Sequence, residues 1–209
     1  MKIAVLNETS AADRNADILH ALEGRGHAVI NAGMTKNGTQ PELTYIHTGF
    51  LAALLLNAHR VEYVVGGCGT GQGFLNSVMQ YPGVSCGHIL TPLDAWLFTQ
   101  INGGNCISLM LNQGYGWAGD VNLRMIFDQI FSVSPGIGYP PHRAESQKKS
   151  RETLANISVT VHKSFAEILA QLPKEVVLPA LSYPGILELI APLSLTDEAL
   201  ATEITKRMK

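Results

Sequence analysis

Charge is scarce in this chain. Of its 209 residues 15% are charged, and 17 acids against 15 bases leave a formal net charge of −2. Without a clustered basic face, nucleic acid and other polyanions are not the expected partners. Cysteine is scarce too, with three residues at positions 68, 86 and 106. An odd number at such wide spacing makes neither a disulfide framework nor a zinc pattern, and it points to a reducing cytoplasm. No apolar run is long enough to span a bilayer, so no membrane is expected as a partner. Met1-Lys2-Ile3-Ala4-Val5-Leu6 is too short and strand-like for a signal peptide, and polar Asn7-Glu8 follow at once. The seven histidines, at 20, 27, 47, 59, 88, 142 and 162, never stand at ligand spacing on one helix, so no metal is expected. No C-x-x-C motif, internal repeat or low-complexity segment is present.

Apolar residues are plentiful, at 46%. That suffices for one large α/β domain, with or without an appendage. Strands are predicted over 2–6, 27–31, 61–66, 83–88 and 105–109. Between them lie helical stretches: one capped by Ser10 and running to Gly24, one over 43–58, and one from Thr91-Pro92 to Ile101. Leu123, Ile126, Phe127, Ile130 and Phe131 make an apolar helical stripe after the fifth strand. Strands alternating with helices imply a Rossmann-like parallel five-stranded sheet with helices on both faces. Residues 134–141 read as an extended arm, and a long helix is predicted over 142–172. A proline-punctuated tail follows, with a closing helix capped by Thr196. The expected organisation is a domain over 1–155 and a C-terminal helical extension over 156–209, packed on that domain or on a dimer partner.

Ligands of such sheets bind beyond the C-terminal strand ends. Asn7-Glu8 and Gly67-Cys68-Gly69-Thr70-Gly71-Gln72-Gly73 are expected at that edge. A glycine turn between strand and helix presents backbone N–H groups to an anion. A thiol beside a helix N-terminus is where a thiolate forms most readily. The turn can therefore hold negative charge on a substrate and offer a base next to it. It is neither a dinucleotide fingerprint nor a Walker loop, because its glycines alternate and no Gly-Lys-Ser/Thr follows. The plainer reading is a tight turn with Cys68 as a small buried filler. Four glycines in seven residues, with a threonine among them, exceed what a turn needs. Cys86 and Cys106, inside strands, read as packed hydrophobes. His88 stands at a strand end, as a site residue or as a satisfied structural histidine. Tyr45, Tyr115 and Trp117 suit either a pocket floor or the core.

The order of these residues resembles the ribose-5-phosphate isomerase type B and galactose-6-phosphate isomerase family. The resemblance covers residues 1–155 and rests on Cys68-Gly69-Thr70-Gly71-Gln72-Gly73 and on Asn102-x-x-Asn105. It implies a homodimer or tetramer with active sites shared between subunits, and aldose–ketose isomerisation of a sugar phosphate without metal or other cofactor. By that resemblance Cys68 carries the proton between C1 and C2. Thr70 and the amides of Gly69, Gly71 and Gly73 stabilise the enediolate, while Gln72, Asn102, Asn7 and Glu8 bind substrate. Ketol isomerisation needs one base poised near neutral pH and a preorganised oxyanion site, and the turn supplies both.

The chain also departs from the family. Glu8-Thr9-Ser10-Ala11 stands where Asp-His-Ala-Gly is usual, Ile101 where a histidine is linked to ring opening, and Leu111-Asn112-Gln113-Gly114-Tyr115 where a Gly-Gly-Arg turn is usual. A phosphate dianion favours bidentate arginine. The remaining cations, His142, Arg143, Lys148, Lys149 and Arg151, are either its partners or a solvated helix face. A longer branch of the family shares Asn-Glu after the first strand and a Gly-Tyr-Pro segment. Members of that branch are linked to 4-deoxy-5-keto-hexuronate isomerisation. The expected activity is thus ketol isomerisation of a small sugar or sugar phosphate. A keto-uronate isomerase and a non-catalytic sugar-binding homologue are the alternatives.

Overall fold

A computed structural model describes residues 1–208 of the chain. Five parallel strands form one sheet: β1 (Lys2–Asn7), β2 (Ala28–Asn31), β3 (Tyr63–Cys68), β4 (Cys86–Ile89) and β5 (Cys106–Met110). Their spatial order is β2-β1-β3-β5-β4. The chain leaves β1 toward one edge and later returns to its other side with β3. The crevice between the ends of β1 and β3 is therefore the topological switch point, where such sheets bind ligands. Asn7 pairs with Gly67 across it, which sets Glu8 beside Cys68.

Side chains alternate across the sheet. Ile3, Val5, Val65, Ile107 and Leu109 face α1 (Asn15–Leu22), α4 (Pro92–Leu97) and α5 (Gly119–Ser132). Ala4, Leu6, Val64 and Cys106 face α2 (Tyr45–Asn57) and α3 (Gln72–Val78). The Thr44–His47 capping box starts α2, and the other ring nitrogen of His47 reaches the Glu175 carbonyl at 2.9 Å. That contact ties α2 to the C-terminal helices α7 (Phe165–Gln171), α8 (Lys174–Leu181), α9 (Ile186–Ile190) and α10 (Glu198–Arg207). Phe165, Leu169, Val177, Leu181, Ile186, Leu200 and Ile204 join the same core as α2.

Gly66 sets how closely α3 approaches β3. A Cβ at Gly66 would lie 2.1 Å from Phe74 Cζ, so the Phe74 ring lies directly on the strand backbone. Gly66→Ala should therefore lower stability by about 1–3 kcal/mol, the usual cost of overpacking. A urea midpoint falling with unchanged slope is the expected reading.

Several local expectations change. β3 runs to Cys68 and α3 begins at Gln72 rather than Phe74, so the turn itself is only Gly69-Thr70-Gly71. Ser10 caps no helix, and Thr9–Arg14 is a 3-10 segment ahead of α1. The helix from Thr91 ends at Leu97 and passes into a π turn, Phe98–Asn102. The predicted helix over 142–172 is two helices, α6 (Ala144–Val161) and α7. His162 is extended there, and the Ser164–Glu167 capping box starts α7, a stronger local signal than continued amphipathicity. Asp197, not Thr196, caps α10, by accepting the Leu200 N–H at 2.9 Å. Residue 155 falls inside α6. Among the described residues no single helix is long and apolar enough to cross a membrane.

Candidate active site

Cys68 is the last residue of β3 and is buried. Its Sγ lies 4.0 Å from Thr70 Oγ1. Every carbonyl of the turn is held. Leu111 N–H and Gly71 N–H donate to the Cys68 carbonyl at 3.1 and 3.2 Å. Asn112 and Gln113 N–H both donate to the Gly69 carbonyl at 3.0 Å. His88 donates to the Thr70 carbonyl at 3.0 Å, and Ser108 Oγ to the Gly71 carbonyl at 2.5 Å.

A trans peptide points its C=O and N–H to opposite sides. Fixing the carbonyls therefore aims the amides. Gly69 N–H donates to Ser10 Oγ at 3.0 Å, Gly71 N–H is turned onto Cys68, and Gln72 N–H meets Thr70 Oγ1 at 3.3 Å. Within the described chain the Thr70 and Gly73 amides meet no acceptor. Of the glycine amides named from the sequence, those of Gly69 and Gly71 are thus engaged within the chain, and that of Gly73 is not. Gly71 sits at φ +76°, a left-handed conformation that favours glycine, and its Cα face lies against the His88 ring.

Glu8 is a buried carboxylate at the end of β1, and Ser10 Oγ donates to its Oε1. Ser10 thereby links the carboxylate to the Gly69 amide. Asn112 Nδ2 holds the Ser10 carbonyl from the segment after β5. Asn7 is buried with both polar atoms engaged: its Nδ2 donates to the Ala11 carbonyl and its Oδ1 accepts from Asn15, each at 3.0 Å. Its side chain braces the start of the Glu8 segment. Gln72 is exposed, and its Nε2 donates to His88 Nδ1 at 3.2 Å. The Tyr45 ring covers Gly73, the Tyr115 ring stacks on Arg14 with its hydroxyl donating to Asp17 at 2.7 Å, and Trp117 stands free in solvent.

The other predicted residues gather elsewhere. Asn102 is exposed in the π turn, ahead of the N-terminal end of β5. Cys68 pairs with Met110 at the opposite end of that strand. Four residue steps of β5 alone separate the two by about 13 Å. The arm is anchored to the Asn102 turn, because Gly136 and Gly138 N–H donate to the Thr99 and Gln100 carbonyls at 2.8 Å. Arg151 clamps both, donating to the Ile101 carbonyl at 2.8 Å and the Gly136 carbonyl at 2.7 Å. Its guanidinium is thus a structural clamp rather than a free cation. His142 and Arg143 are exposed at the head of α6, where the Arg143 side chain donates to Ser146 Oγ at 3.2 Å. Asn105 is structural: it accepts the Ser85 N–H at 2.9 Å and donates to the Gly83 carbonyl at 2.8 Å. Within one chain, Asn102 and Cys68 therefore lie at opposite ends of β5.

Cys106 is fully buried, and burial beside the Cys86 thiol pushes its own thiol well above the ordinary cysteine range. Both residues sit side by side in the β4–β5 ladder as packing groups. Among the described residues no group of three or more His, Cys, Asp or Glu is placed to hold a metal ion.

The sequence model of the ribose/galactose isomerase family matches residues 3–130, more than half of the chain. This chain belongs to that family. It resembles a ribose-5-phosphate isomerase from Vibrio parahaemolyticus at 41% identity, over 99% of both chains, with a TM-score of 0.93. It resembles a 4-deoxy-L-threo-5-hexosulose-uronate ketol-isomerase, complexed with a tartrate, at 32% identity, over 100% of this chain and 99% of that one, also with a TM-score of 0.93. The type B ribose 5-phosphate isomerase of Leishmania infantum, at 14% identity and a TM-score of 0.63, shares the fold over 77% of this chain. No curated protein matches the chain. The match to the first two of these relatives thus extends beyond residue 130, over nearly the whole of each chain. Ser10, His88, Ser108 and Asn112, which hold the turn, carry no motif of their own. Only the spatial order of the strands brings them to residues 68–73.

Proposed function

We propose that this sugar isomerase interconverts an aldose and a ketose through an enediolate, with Cys68 as the base. The observation that carries the reading is the Cys68 thiol at the switch point, beside Thr70 Oγ1 and two unengaged amides. As the thiolate, Cys68 removes the proton from the carbon next to the carbonyl and, as the thiol, returns it to the former carbonyl carbon, while a proton passes from the substrate hydroxyl to the former carbonyl oxygen. The Thr70 and Gly73 amides, with the Thr70 hydroxyl, hold the oxyanion that forms between these steps. Glu8 lies within reach of a substrate hydroxyl, and Gln72 borders the same opening. Asn102 binds substrate hydroxyls, and His142 and Arg143 meet the substrate's anionic end.

Asn102 lies at the far end of β5 from the thiol and would meet it from a second copy, which the reading takes to bring His142 and Arg143 as well. The reading therefore includes a homodimer, or a tetramer of such dimers. Support comes from α6, an 18-residue helix with no buried residue that exposes Leu154, Ile157 and Val161 along one stripe. A free catalytic thiol also suits a reducing cytoplasm.

The substrate is a small sugar or sugar phosphate. The second reading is a 4-deoxy-5-keto-hexuronate, favoured because no lysine or arginine among the described residues bonds the turn and Arg151 is engaged elsewhere. A carboxylate asks less of the site than a phosphate dianion. Turnover of ribose 5-phosphate, galactose 6-phosphate and the keto-uronate should show one of them at about 1 s⁻¹ or faster. An excess of chelator should leave that rate unchanged. Calorimetric binding with no turnover on any of the three would replace the isomerase reading with a sugar-binding protein.

A further inference from the structure

His88 belongs to β4, a strand that contributes nothing else to the turn. Its ring nevertheless makes two hydrogen bonds there. Nε2 lies 3.0 Å from the Thr70 carbonyl oxygen, which can only accept, so Nε2 carries the proton. Nδ1 is then the acceptor for Gln72 Nε2 at 3.2 Å. The ring also lies on Gly71, where a Cβ would come within 2.5 Å of Nε2. One imidazole thus touches three successive residues of the segment that carries Thr70.

We propose that His88 is the positioning residue of the isomerase site, latching the Thr70–Gly71 peptide so that Cys68 and Thr70 keep their catalytic geometry. This inference rests on the isomerase reading above. With the Thr70 carbonyl drawn to His88, the Gly71 N–H must point the other way, where it closes on the Cys68 carbonyl. Ser108 holds the next carbonyl in the same manner from β5. Without His88 that peptide keeps only the Gly71 N–H bond to the Cys68 carbonyl, and Thr70 Oγ1 shifts from its place beside the thiol. A displacement of about 1 Å in such a site costs on the order of 100-fold in rate. Substrate binding depends on Thr70 far less than the transition state does, so the loss falls on kcat.

The test compares His88→Ala, His88→Phe and His88→Gln. Gln carries an amide donor at the reach of Nε2, whereas Phe keeps the shape without the donor. His88→Ala and His88→Phe should each lose at least tenfold in kcat with KM within twofold of the parent. His88→Gln should recover to within threefold. Amide hydrogen exchange over residues 68–73 should accelerate at least tenfold in Ala and Phe, and return in Gln. Imidazole ¹⁵N shifts of the parent should show the Nε2–H tautomer. Parent-like kcat in His88→Ala, or a Gln variant as impaired as Phe, overturns the proposal. If the parent turns over none of the sugars, the isomerase reading fails by itself. The latch is then decided by exchange alone: acceleration in Ala and Phe upholds it, and unchanged exchange removes it.

Discussion

Cys68→Ala should lose about 10³-fold in kcat, within the range general-base removal typically gives. The substitution deletes Sγ from a buried strand end and leaves the backbone of the turn untouched. The carbonyl anchors from Leu111, Asn112, Gln113, His88 and Ser108 do not involve the thiol. The oxyanion donors therefore stay in place, and KM should move little. The more direct reading is isotopic. In D₂O the parent should place deuterium on the carbon next to the substrate carbonyl, and Cys68→Ala should not. Exchange at the parental rate in the variant would move the base elsewhere. Glu8 would then be the first candidate, as a buried carboxylate at the same crevice that Ser10 connects to Gly69.

Two inactive variants should restore each other. Asn102→Ala impairs one half of the site and Cys68→Ala the other, and the two halves lie at opposite ends of the sheet. When the two chains are co-expressed, random pairing makes half the dimers mixed. Each mixed dimer has one intact site and one doubly impaired site, so about a quarter of parental activity should return. Each variant alone should stay near its background. A mixture no more active than the sum of its components would place the whole site within one chain, and it would remove the shared-dimer reading along with the role given to α6.

The sheet and the strand ends at its C-terminal edge were legible because their signals are local. Apolar runs of the right length mark the strands, and glycine punctuation marks the end of β3. The turn around Cys68 is itself a strand–turn–helix unit, readable from seven consecutive residues. The errors in element boundaries also have local causes. Capping side chains overrode the amphipathic pattern at Ser164 and Asp197, and Ser10 turned to Glu8 and Gly69 in place of a helix end.

Sequence alone determined the parallel α/β class, the family and the thiol at the switch point. Tertiary structure decided which groups of that site are free to act. Only the β2-β1-β3-β5-β4 order brings His88 and Ser108 under residues 70 and 71, and it leaves the Thr70 and Gly73 amides unengaged while closing those of Gly69 and Gly71. The same packing buries both polar atoms of Asn7 and binds Arg151 to backbone carbonyls. The physical reason is that a residue type sets what a side chain can do, whereas hydrogen bonds are exclusive. Which donors remain for a substrate depends on partners 17 to 102 positions away in the chain, such as His88 to Gly71 and Asn112 to Ser10.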